Sequence, residues 1–485
     1  MKNASLIFFV FASFQLLQSC ARNPVTGKKQ VVLMSEAQEI AMGQEADPQI
    51  VAQFGLYPDS ALQRFIRQKG QEMVAISHRP NIKYEFKILD SDVLNAFATP
   101  GGYVYFTRGI MAHFNDEAQF AGVLGHETGH ITARHSVAQQ RNAILGQIGI
   151  IAGVVIEPRL AQFAETASQG LQLLFLKYGR DDEKQADELG VEYSSKVGYD
   201  AKQMADFFLT LKRQSESSGA EALPEFLSTH PDPGNRYTKV NQMAAEWKSK
   251  LNLTKAIINR NSYLQRIDGI VYGEDPRQGF LENSVFYHPE LKFQFPTPRG
   301  WNYQNTPQRV QMAPKDGKAL LMLMTAPGKS LQEAATNLLQ QNNLTALQSD
   351  QITINGLPAV MIVADSKQDP QSQQQQQPIR TLSYLIQYNN LIYLILGLST
   401  QQDFSTYAPY FTSAGEGFSI LTDQRKINKK PQRVQIKTVN TNTTLEQALK
   451  NYAVTAARMN ELAILNGMKL TDKLTPGTMI KVISE

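Results

Sequence analysis

The chain has 485 residues, a formal net charge of +4 and a single cysteine. This length predicts about three domains. The small net charge, with no stretch typical of a nucleic-acid-binding motif, argues against nucleic acid as a partner. With one cysteine the chain can form no internal disulfide, so its domains must depend on their cores and on any bound metal.

The first predicted element is an N-terminal export signal. Lys2 is followed by an apolar run over residues 4–14 and then by the sequence L-Q-S-C, which ends at Cys20. A basic residue, a short apolar segment and a small-residue cleavage site are typical of a secretory signal peptide, here residues 1–19. L-Q-S-C resembles a bacterial lipobox, which implies that Cys20 carries lipid. With Ala21 next, the resemblance implies an exported bacterial lipoprotein on the periplasmic side of the outer membrane.

The most specific motif is H-E-T-G-H, His126 to His130, in a predicted helix that starts at residues 115–117. Residues four apart on a helix share a face, so both imidazoles can bind one zinc ion while Glu127 deprotonates a water. Two histidines can also lie four apart by chance on a surface helix. Polar side chains inside an apolar helix need partners, however, and a metal supplies them. The pattern is the core of a zinc-dependent peptidase.

A second helix is predicted after residue 180, and it can complete the metal site. Catalytic zinc usually has three protein ligands. Glu183 and Asp187 share a face, so one can bind zinc while the other accepts the outer N–H of a zinc-bound histidine. The alternative is a pair of solvated charges. Between the two helices, the apolar residues 143–156 are fewer than the ~20 that a membrane span needs, and they predict a buried helix or a flap.

These motifs, with E-x-x-A-D from Glu183 to Asp187, resemble the CAAX prenyl protease/HtpX family of zinc metalloendopeptidases, and most closely its periplasmic BepA-like branch. N-A-F-A-T-P-G-G at residues 95–102 and S-T-H-P at residues 228–231 match further family motifs in the same order. The resemblance covers about residues 30–250. It implies a mainly helical zincin domain of the gluzincin type with a small sheet, over residues 20–265.

The resemblance also implies a function. One Zn²⁺ per chain would be bound by His126, His130 and Glu183, with Glu127 as the general base and Asp187 beside a ligand. The substrates would be polypeptides of the cell envelope, misfolded or unassembled. The alternative is a proteolytically quiet chaperone or scaffold for outer-membrane or cell-wall assembly.

Two further residues are implied to lie near the open zinc position. Arg236 follows His230 by six residues, as in the family motif. His230 could stabilise the oxyanion, or it could bind zinc as a fourth ligand and repress the enzyme. Arg236 stays protonated, which suits stabilisation of an anion, although a surface salt bridge is the alternative.

A strand is predicted at residues 102–107, after a Pro-Gly-Gly turn. The family resemblance implies that this strand lies at a sheet edge beside zinc, where an extended peptide can pair with it. The alternative is an ordinary buried strand. The implied substrate-binding residues are Gly102, Tyr103, Val104 and Tyr105.

The rest of the chain predicts accessory modules. Residues 286–422 alternate strands and helices in a small α+β domain without a chemical constellation, and residues 423–433 form a basic linker. Within that domain a capping-box pattern at residues 330–333 predicts the start of a helix, and Asn389-Asn390 predicts a hairpin turn. Residues 434–485 have a strand–helix–helix–strand order that resembles a LysM domain in degenerate form. That resemblance implies peptidoglycan as a partner, and a protein-contact module is the alternative. The overall prediction is an α+β protein.

Overall fold

The computed structural model describes residues 20–27, 29–31, 34–137, 150–151, 154–155, 160, 178–217, 225–230, 235–367 and 378–485. The predicted signal peptide lies outside these residues. The chain divides into two compact units. The first contains residues 1–145, 169–273 and 432–485, and the second contains residues 146–168 and 274–431. None of the described helices is long and apolar enough to cross a membrane.

The first unit is mainly helical, as predicted. Most of its helices surround one cluster of buried apolar side chains. Those that precede residue 270 are α1 (Glu36–Phe54), α2 (Ser60–Val74), α3 (Arg108–His113), α4 (Glu117–Ala133), α5 (Arg180–Lys196), α6 (Lys202–Ser217), α7 (Glu225–Thr229), α8 (Arg236–Lys250) and α9 (Arg260–Arg266). Cys20 begins β1 (Cys20–Arg22), which pairs with β2 (Lys29–Val31).

The sheet of this unit contains β3 (Glu85–Leu89), β4 (Ala96–Thr99) and β5 (Tyr103–Thr107), in the order β3-β5-β4. Strand β5 is parallel to β3, antiparallel to β4 and buried along its whole length. A strand paired on both sides offers no free backbone groups to a peptide. The prediction of a substrate-binding sheet edge is therefore wrong for Gly102, Tyr103, Val104 and Tyr105. Both β3 and β4 are edge strands next to β5.

Helix α4 carries the H-E-T-G-H sequence and is buried along its whole length. Its N-cap is Asp116, whose carboxylate accepts a hydrogen bond from the Gln119 N–H at 2.8 Å. A Cβ added to Gly125 would lie 2.9 Å from the Gly190 carbonyl oxygen of α5. The absence of a side chain at Gly125 thus lets α4 and α5 pack backbone to backbone.

Besides a two-stranded hairpin, the described part of the second unit contains two larger sheets, both antiparallel between neighbouring strands. Their orders are β11-β12-β13-β17-β16-β15-β14 and β18-β10-β9-β8. The strands are β8 (Phe280–Glu282), β9 (Val285–His288), β10 (Phe293–Pro296), β11 (Asn302–Asn305), β12 (Arg309–Ala313), β13 (Ala319–Thr325), β14 (Leu344–Ile354), β15 (Leu357–Ser366), β16 (Ile379–Tyr388), β17 (Leu391–Thr400) and β18 (Ser419–Ile420). The helices are α10 (Leu331–Gln341), α11 (Phe404–Glu416) and α12 (Gln424–Ile427).

Local signals in this unit were predicted correctly in two places. Asn389 and Asn390, at φ of 49° and 61°, form the two-residue turn between β16 and β17. Ser330 caps α10 by accepting a hydrogen bond from the Glu333 N–H at 3.2 Å. Of the two predicted forms of residues 143–156, the buried helix is wrong where the structure describes this segment, and the flap stays a prediction. The described part is a hairpin of β6 (Ile150–Ile151) and β7 (Val154–Val155).

The C-terminal segment has the predicted order of elements and belongs to the first unit. Its elements are β19 (Arg433–Thr438), β20 (Thr443–Thr444), α13 (Leu445–Asn451), α14 (Met459–Leu465), β21 (Lys473–Leu474) and β22 (Met479–Ser484). Lys481 is fully buried in β22, where its ammonium donates to the carbonyls of Ala112 and Phe114 at 2.8 Å and of Leu465 at 2.9 Å. Strand β22 is thereby bonded to the connection between α3 and α4.

Candidate metal centre

The candidate centre lies where α4, α5 and the end of α7 meet. His126 and His130 are one turn apart on α4, Glu183 lies in the first turn of α5, and His230 directly follows α7. All four side chains are fully buried. Their potential ligand atoms lie within 4.8 Å of one another. The structure thus brings together the three predicted ligands and His230.

The distances within this group suit a single small ion. His126 Nε2 lies 3.0 Å from His130 Nε2 and 3.3 Å from His230 Nδ1. Glu183 Oε1 lies 2.9 Å from His230 Nδ1 and 3.4 Å from His130 Nε2. The corners of a tetrahedral zinc site with nitrogen and oxygen ligands are about 3.3 Å apart. The donor set and its spacing therefore fit zinc.

The protonation states also fit a cation. Burial lowers the pKa values of His126 and His130 well below the usual range, so both rings are neutral. Burial opposes ionisation of Glu183, but the charge on His230 and the hydrogen bond with His130 outweigh it and hold the pKa well below its usual value. Neutral imidazole and carboxylate are the forms that bind zinc. Glu183 Oε2 is buried and makes no hydrogen bond in the described chain, although Arg236 Nη2 lies 3.4 Å from it. A metal ion bound by the group would also satisfy this oxygen.

Glu127 occupies the position expected of a general base. Its carboxylate is fully buried, and neither oxygen has a hydrogen-bond partner among the described residues. Oε1 lies 3.7 Å from His230 Nε2. Burial raises the pKa of Glu127 to about 7. A carboxyl group with such a pKa can both take and give a proton near neutral pH.

Asp187 and Arg236 lie behind the ring of His126. Asp187 Oδ1 is 3.0 Å from His126 Nδ1, as predicted for a carboxylate that orients a ligand. Arg236 donates to both oxygens of Asp187, from Nη2 at 2.6 Å and from Nε at 2.8 Å. This contact is on the Nδ1 side of His126, whereas the ligand group is on the Nε2 side. Arg236 Nη2 also lies 3.4 Å from Glu183 Oε2, so the position of Arg236 near the open metal position stays a prediction, while its hydrogen bonds go to Asp187.

Sequence reasoning missed the contact made by His135. Helix α4 ends at Ala133, and Arg134 adopts a left-handed conformation at φ 61°. This turn brings His135 Nδ1 to 3.0 Å from His130 Nδ1, while its Nε2 lies 2.9 Å from Gln185 Oε1. His135 is not a member of the ligand group found among the described residues. Its position beside His130 could have been predicted only by recognising that helix α4 ends before His135.

Tyr178 was also missed, because no motif contains it. Its ring stacks on His130 with centroids 3.8 Å apart, and its hydroxyl group lies 2.9 Å from Ser136 Oγ. The same hydroxyl donates to the carbonyl of Ala98 in β4 at 3.3 Å. Tyr178 and His230 are both buried, and their ring centroids are 5.4 Å apart. The Pro-containing loop that follows His230, residues 231–234, lies outside the described residues.

Residues 60–244 match the model of Peptidase family M48. The Beta-barrel assembly-enhancing protease of Yersinia pestis is 29% identical over 234 residues, which is 46% of this chain and 48% of the relative. The Putative beta-barrel assembly-enhancing protease of Vibrio cholerae is 31% identical over 198 residues, 39% of this chain and 40% of the relative. The Mitochondrial metalloendopeptidase OMA1 of Arabidopsis thaliana is 27% identical over 201 residues, 41% and 39% respectively.

The chain thus spans half or less of the length of these relatives. The segment that matches the family model contains the candidate centre. The family match and the group of His126, His130, Glu183 and His230 together support a zinc-dependent metallopeptidase domain.

Proposed function

We propose that this chain is a zinc-dependent metalloendopeptidase that hydrolyses peptide bonds of misfolded or unassembled envelope polypeptides. The observation that carries the proposal is the buried convergence of His126, His130 and Glu183 with Glu127 beside them. The names of the relatives, which are proteases and metalloendopeptidases, support the same reaction. We also propose that the chain belongs to the CAAX prenyl protease/HtpX branch.

The reaction follows from the chemistry of these side chains. Zinc, when bound, polarises the scissile carbonyl and acidifies water. Glu127 takes the proton from the attacking water and gives it to the leaving amine, for which a pKa of about 7 is suitable. Asp187 fixes the ring of His126, and Arg236 holds Asp187, so both act as positioning residues.

His230 is proposed to bind the metal in a resting state and to leave before substrate binds. Its Nδ1 lies within the ligand group, where a fourth protein ligand would occupy the position that water needs. The full burial of the centre supports such a closed state. The oxyanion role predicted as the alternative would require His230 to stay near the substrate carbonyl after opening.

The substrate is proposed to pair with β4 rather than with β5. Strand β4 is at the edge of the sheet, and the Tyr178 hydroxyl bonds to its Ala98 carbonyl. An extended peptide on this edge would replace that hydrogen bond. Tyr178 must therefore move together with His230 when the site opens.

Attachment to the outer membrane through a lipidated Cys20 remains part of the proposal, as does peptidoglycan binding by the LysM-like segment. The lipobox-like sequence supports the first and the strand–helix–helix–strand order supports the second. Both proposals concern the location of the protein and not the hydrolysis of the peptide bond.

The competing function is a chaperone or scaffold without proteolysis, which the closed centre also suits. The deciding experiment compares the wild-type chain with Glu127→Gln on an unfolded protein substrate. The proposal expects cleavage by the wild type and none by Glu127→Gln at equal zinc content. Two outcomes would favour the scaffold. One is equal cleavage by the wild type and by Glu127→Gln. The other is no cleavage by either chain when zinc is bound, even after His230→Ala is introduced.

A further inference from the structure

The ring of His130 has two nitrogens, and each has partners of its own. Nε2 lies in the ligand group, at 3.0 Å from His126 Nε2 and 3.4 Å from Glu183 Oε1. On the other side of the ring, Nδ1 lies 3.0 Å from His135 Nδ1. A neutral imidazole carries its proton on one nitrogen only, so the nitrogen that binds a metal must be the other one. The partner of His130 Nδ1 therefore decides whether Nε2 can bind a metal.

The surroundings of His135 fix the position of its own proton. Its Nε2 lies 2.9 Å from Gln185 Oε1 and 3.8 Å from Asp182 Oδ1. Amide oxygens and ionised carboxylates only accept hydrogen bonds, so Nε2 of His135 is the donor. Nδ1 of a neutral His135 ring is then an acceptor, and the proton between the two rings belongs to His130 Nδ1. This arrangement leaves the lone pair of His130 Nε2 free for a metal ion.

The two histidines of α4 have different outer partners. His126 Nδ1 has the carboxylate of Asp187 at 3.0 Å, and Arg236 donates to that carboxylate. The usual outer partner of a metal-bound histidine is a carboxylate, a backbone carbonyl or a water. At His130 a second imidazole takes this place, which makes His135 the counterpart of Asp187.

Several contacts hold His135 in this position. Arg134, at a left-handed φ of 61°, ends α4 and turns the chain before His135. The Arg134 guanidinium donates to Glu39 Oε2 at 2.8 Å and to the Met34 carbonyl at 3.1 Å. A residue other than glycine keeps such a φ only where surrounding contacts fix it. His135 is itself 4% exposed, so its place beside His130 is a fixed feature of the fold.

We propose that His135 is a positioning residue of the metal centre, which holds the proton of His130 on Nδ1 and keeps Nε2 available to zinc, while Gln185 fixes the tautomer of His135. The inference rests on the metal centre of the proposed function and not on peptidase activity. Neither His135 nor Gln185 is a member of the ligand group found in the described chain. Without His135 the buried Nδ1–H of His130 would lose its acceptor, and a shift of the proton to Nε2 would withdraw that nitrogen from the ion.

The zinc affinity of the full-length Glu127→Gln chain tests the proposal, because this background cannot cleave itself. Competition for Zn²⁺ with a chromophoric chelator measures it. His135→Phe keeps a ring but removes the acceptor, so zinc should bind about tenfold to a hundredfold more weakly. His135→Asn offers an amide oxygen close to the former Nδ1 position and should restore most of the affinity. His288→Phe, at a histidine of the second unit, is the matched control and should bind zinc as the parent does.

Two substitutions of Gln185 test the second hydrogen bond separately. Gln185→Glu keeps an acceptor for the Nε2–H of His135 and should bind zinc at least as tightly as the parent. Gln185→Met has a similar length but no such acceptor, and its zinc affinity should fall a few fold, since His135 is then free to change tautomer. If His135→Phe fails to fold, this pair still decides the proposal.

The tautomers are also measured directly, by long-range proton–nitrogen correlation spectra of the histidine rings. His135 should carry its proton on Nε2 in the zinc-loaded chain, and His130 should carry its proton on Nδ1 even in the metal-free chain. Three results would overturn the proposal: the opposite tautomer of His135, parent affinity in His135→Phe, or equal losses in His135→Phe and His135→Asn, as a packing defect would give. A parent chain that binds no zinc would instead overturn the metal centre itself.

Discussion

At the scale of single residues, the candidate metal centre contains two glutamates with different proposed roles. One is a metal ligand and the other is the general base. Glu183 contributes a ligand atom, whereas Glu127 faces the centre without being a member of the ligand group. Glu183→Ala should therefore lose zinc as well as activity, and Glu127→Gln should keep zinc and fold while losing turnover. Elemental analysis of both purified variants measures this. Full zinc occupancy in Glu183→Ala would remove that residue from the site.

His230 has two proposed roles with opposite consequences. If it is a resting-state ligand, His230→Ala opens the water position and raises basal proteolysis. If it stabilises the oxyanion, the same substitution lowers turnover by roughly a hundredfold or more. Cleavage rates on a quenched fluorescent peptide, normalised to zinc content, distinguish the two. A large loss of activity with zinc retained contradicts the resting-state role.

At the scale of elements, the contact between α4 and α5 sets the spacing of the ligands. In Gly125→Ala the new Cβ would meet backbone atoms of Gly190, so the helices must separate and carry His126 and Glu183 apart. We expect the free energy of unfolding to fall by about 1–3 kcal/mol and zinc affinity to fall with it. Gly129→Ala is the graded control, because its Cβ would come within 3.0 Å of the Leu189 side chain but no closer than 3.4 Å to the backbone carbonyl oxygen of Ala186. Chemical denaturation of both variants measures the fall in the free energy of unfolding of each. A larger fall in Gly129→Ala than in Gly125→Ala would refute the prediction.

Lys481 joins two elements that are distant in sequence. Lys481→Met leaves the carbonyls of Ala112, Phe114 and Leu465 without this donor inside the core. An unsatisfied buried carbonyl costs about 1–3 kcal/mol, so the variant should be destabilised by at least that amount. Lys473→Met, at an exposed position of β21, should have nearly wild-type stability. Thermal unfolding of the pair measures the difference, and equal melting temperatures would show that the buried ammonium does not hold β22 in place.

Local sequence patterns predicted which helices, caps and turns form better than they predicted which elements pack against one another. The H-E-T-G-H helix, the Ser330 cap and the Asn389-Asn390 turn depend on nearby residues, so the sequence alone was sufficient. The position of β5 depends on which strands pair with it, and strand composition does not encode that. Tyr178 comes to His130 only through tertiary packing, and no spacing rule could have found it.

At the scale of the whole molecule, the proposed anchor and the proposed chemistry are independent. Cys20 precedes the first helix, and the metal centre lies more than a hundred residues later. Cys20→Ser should therefore release the protein from the membrane with its peptidase activity unchanged. Fractionation and mass spectrometry of the mature N-terminus check this. A freely soluble wild-type chain that retains an unmodified Cys20 would contradict the lipoprotein assignment.

The hydrogen bonds of the buried Lys481 in β22 can form only late in the synthesis of the chain. Proteins emerge from a ribosome or a translocation channel with the N-terminus first, so the segment before α4 appears long before Lys481, which follows Phe114 by 367 residues. Until that lysine arrives, the carbonyls of Ala112 and Phe114 lack this donor. The connection that leads into the helix of the proposed metal ligands can therefore reach its final hydrogen bonding only after β22 has been delivered.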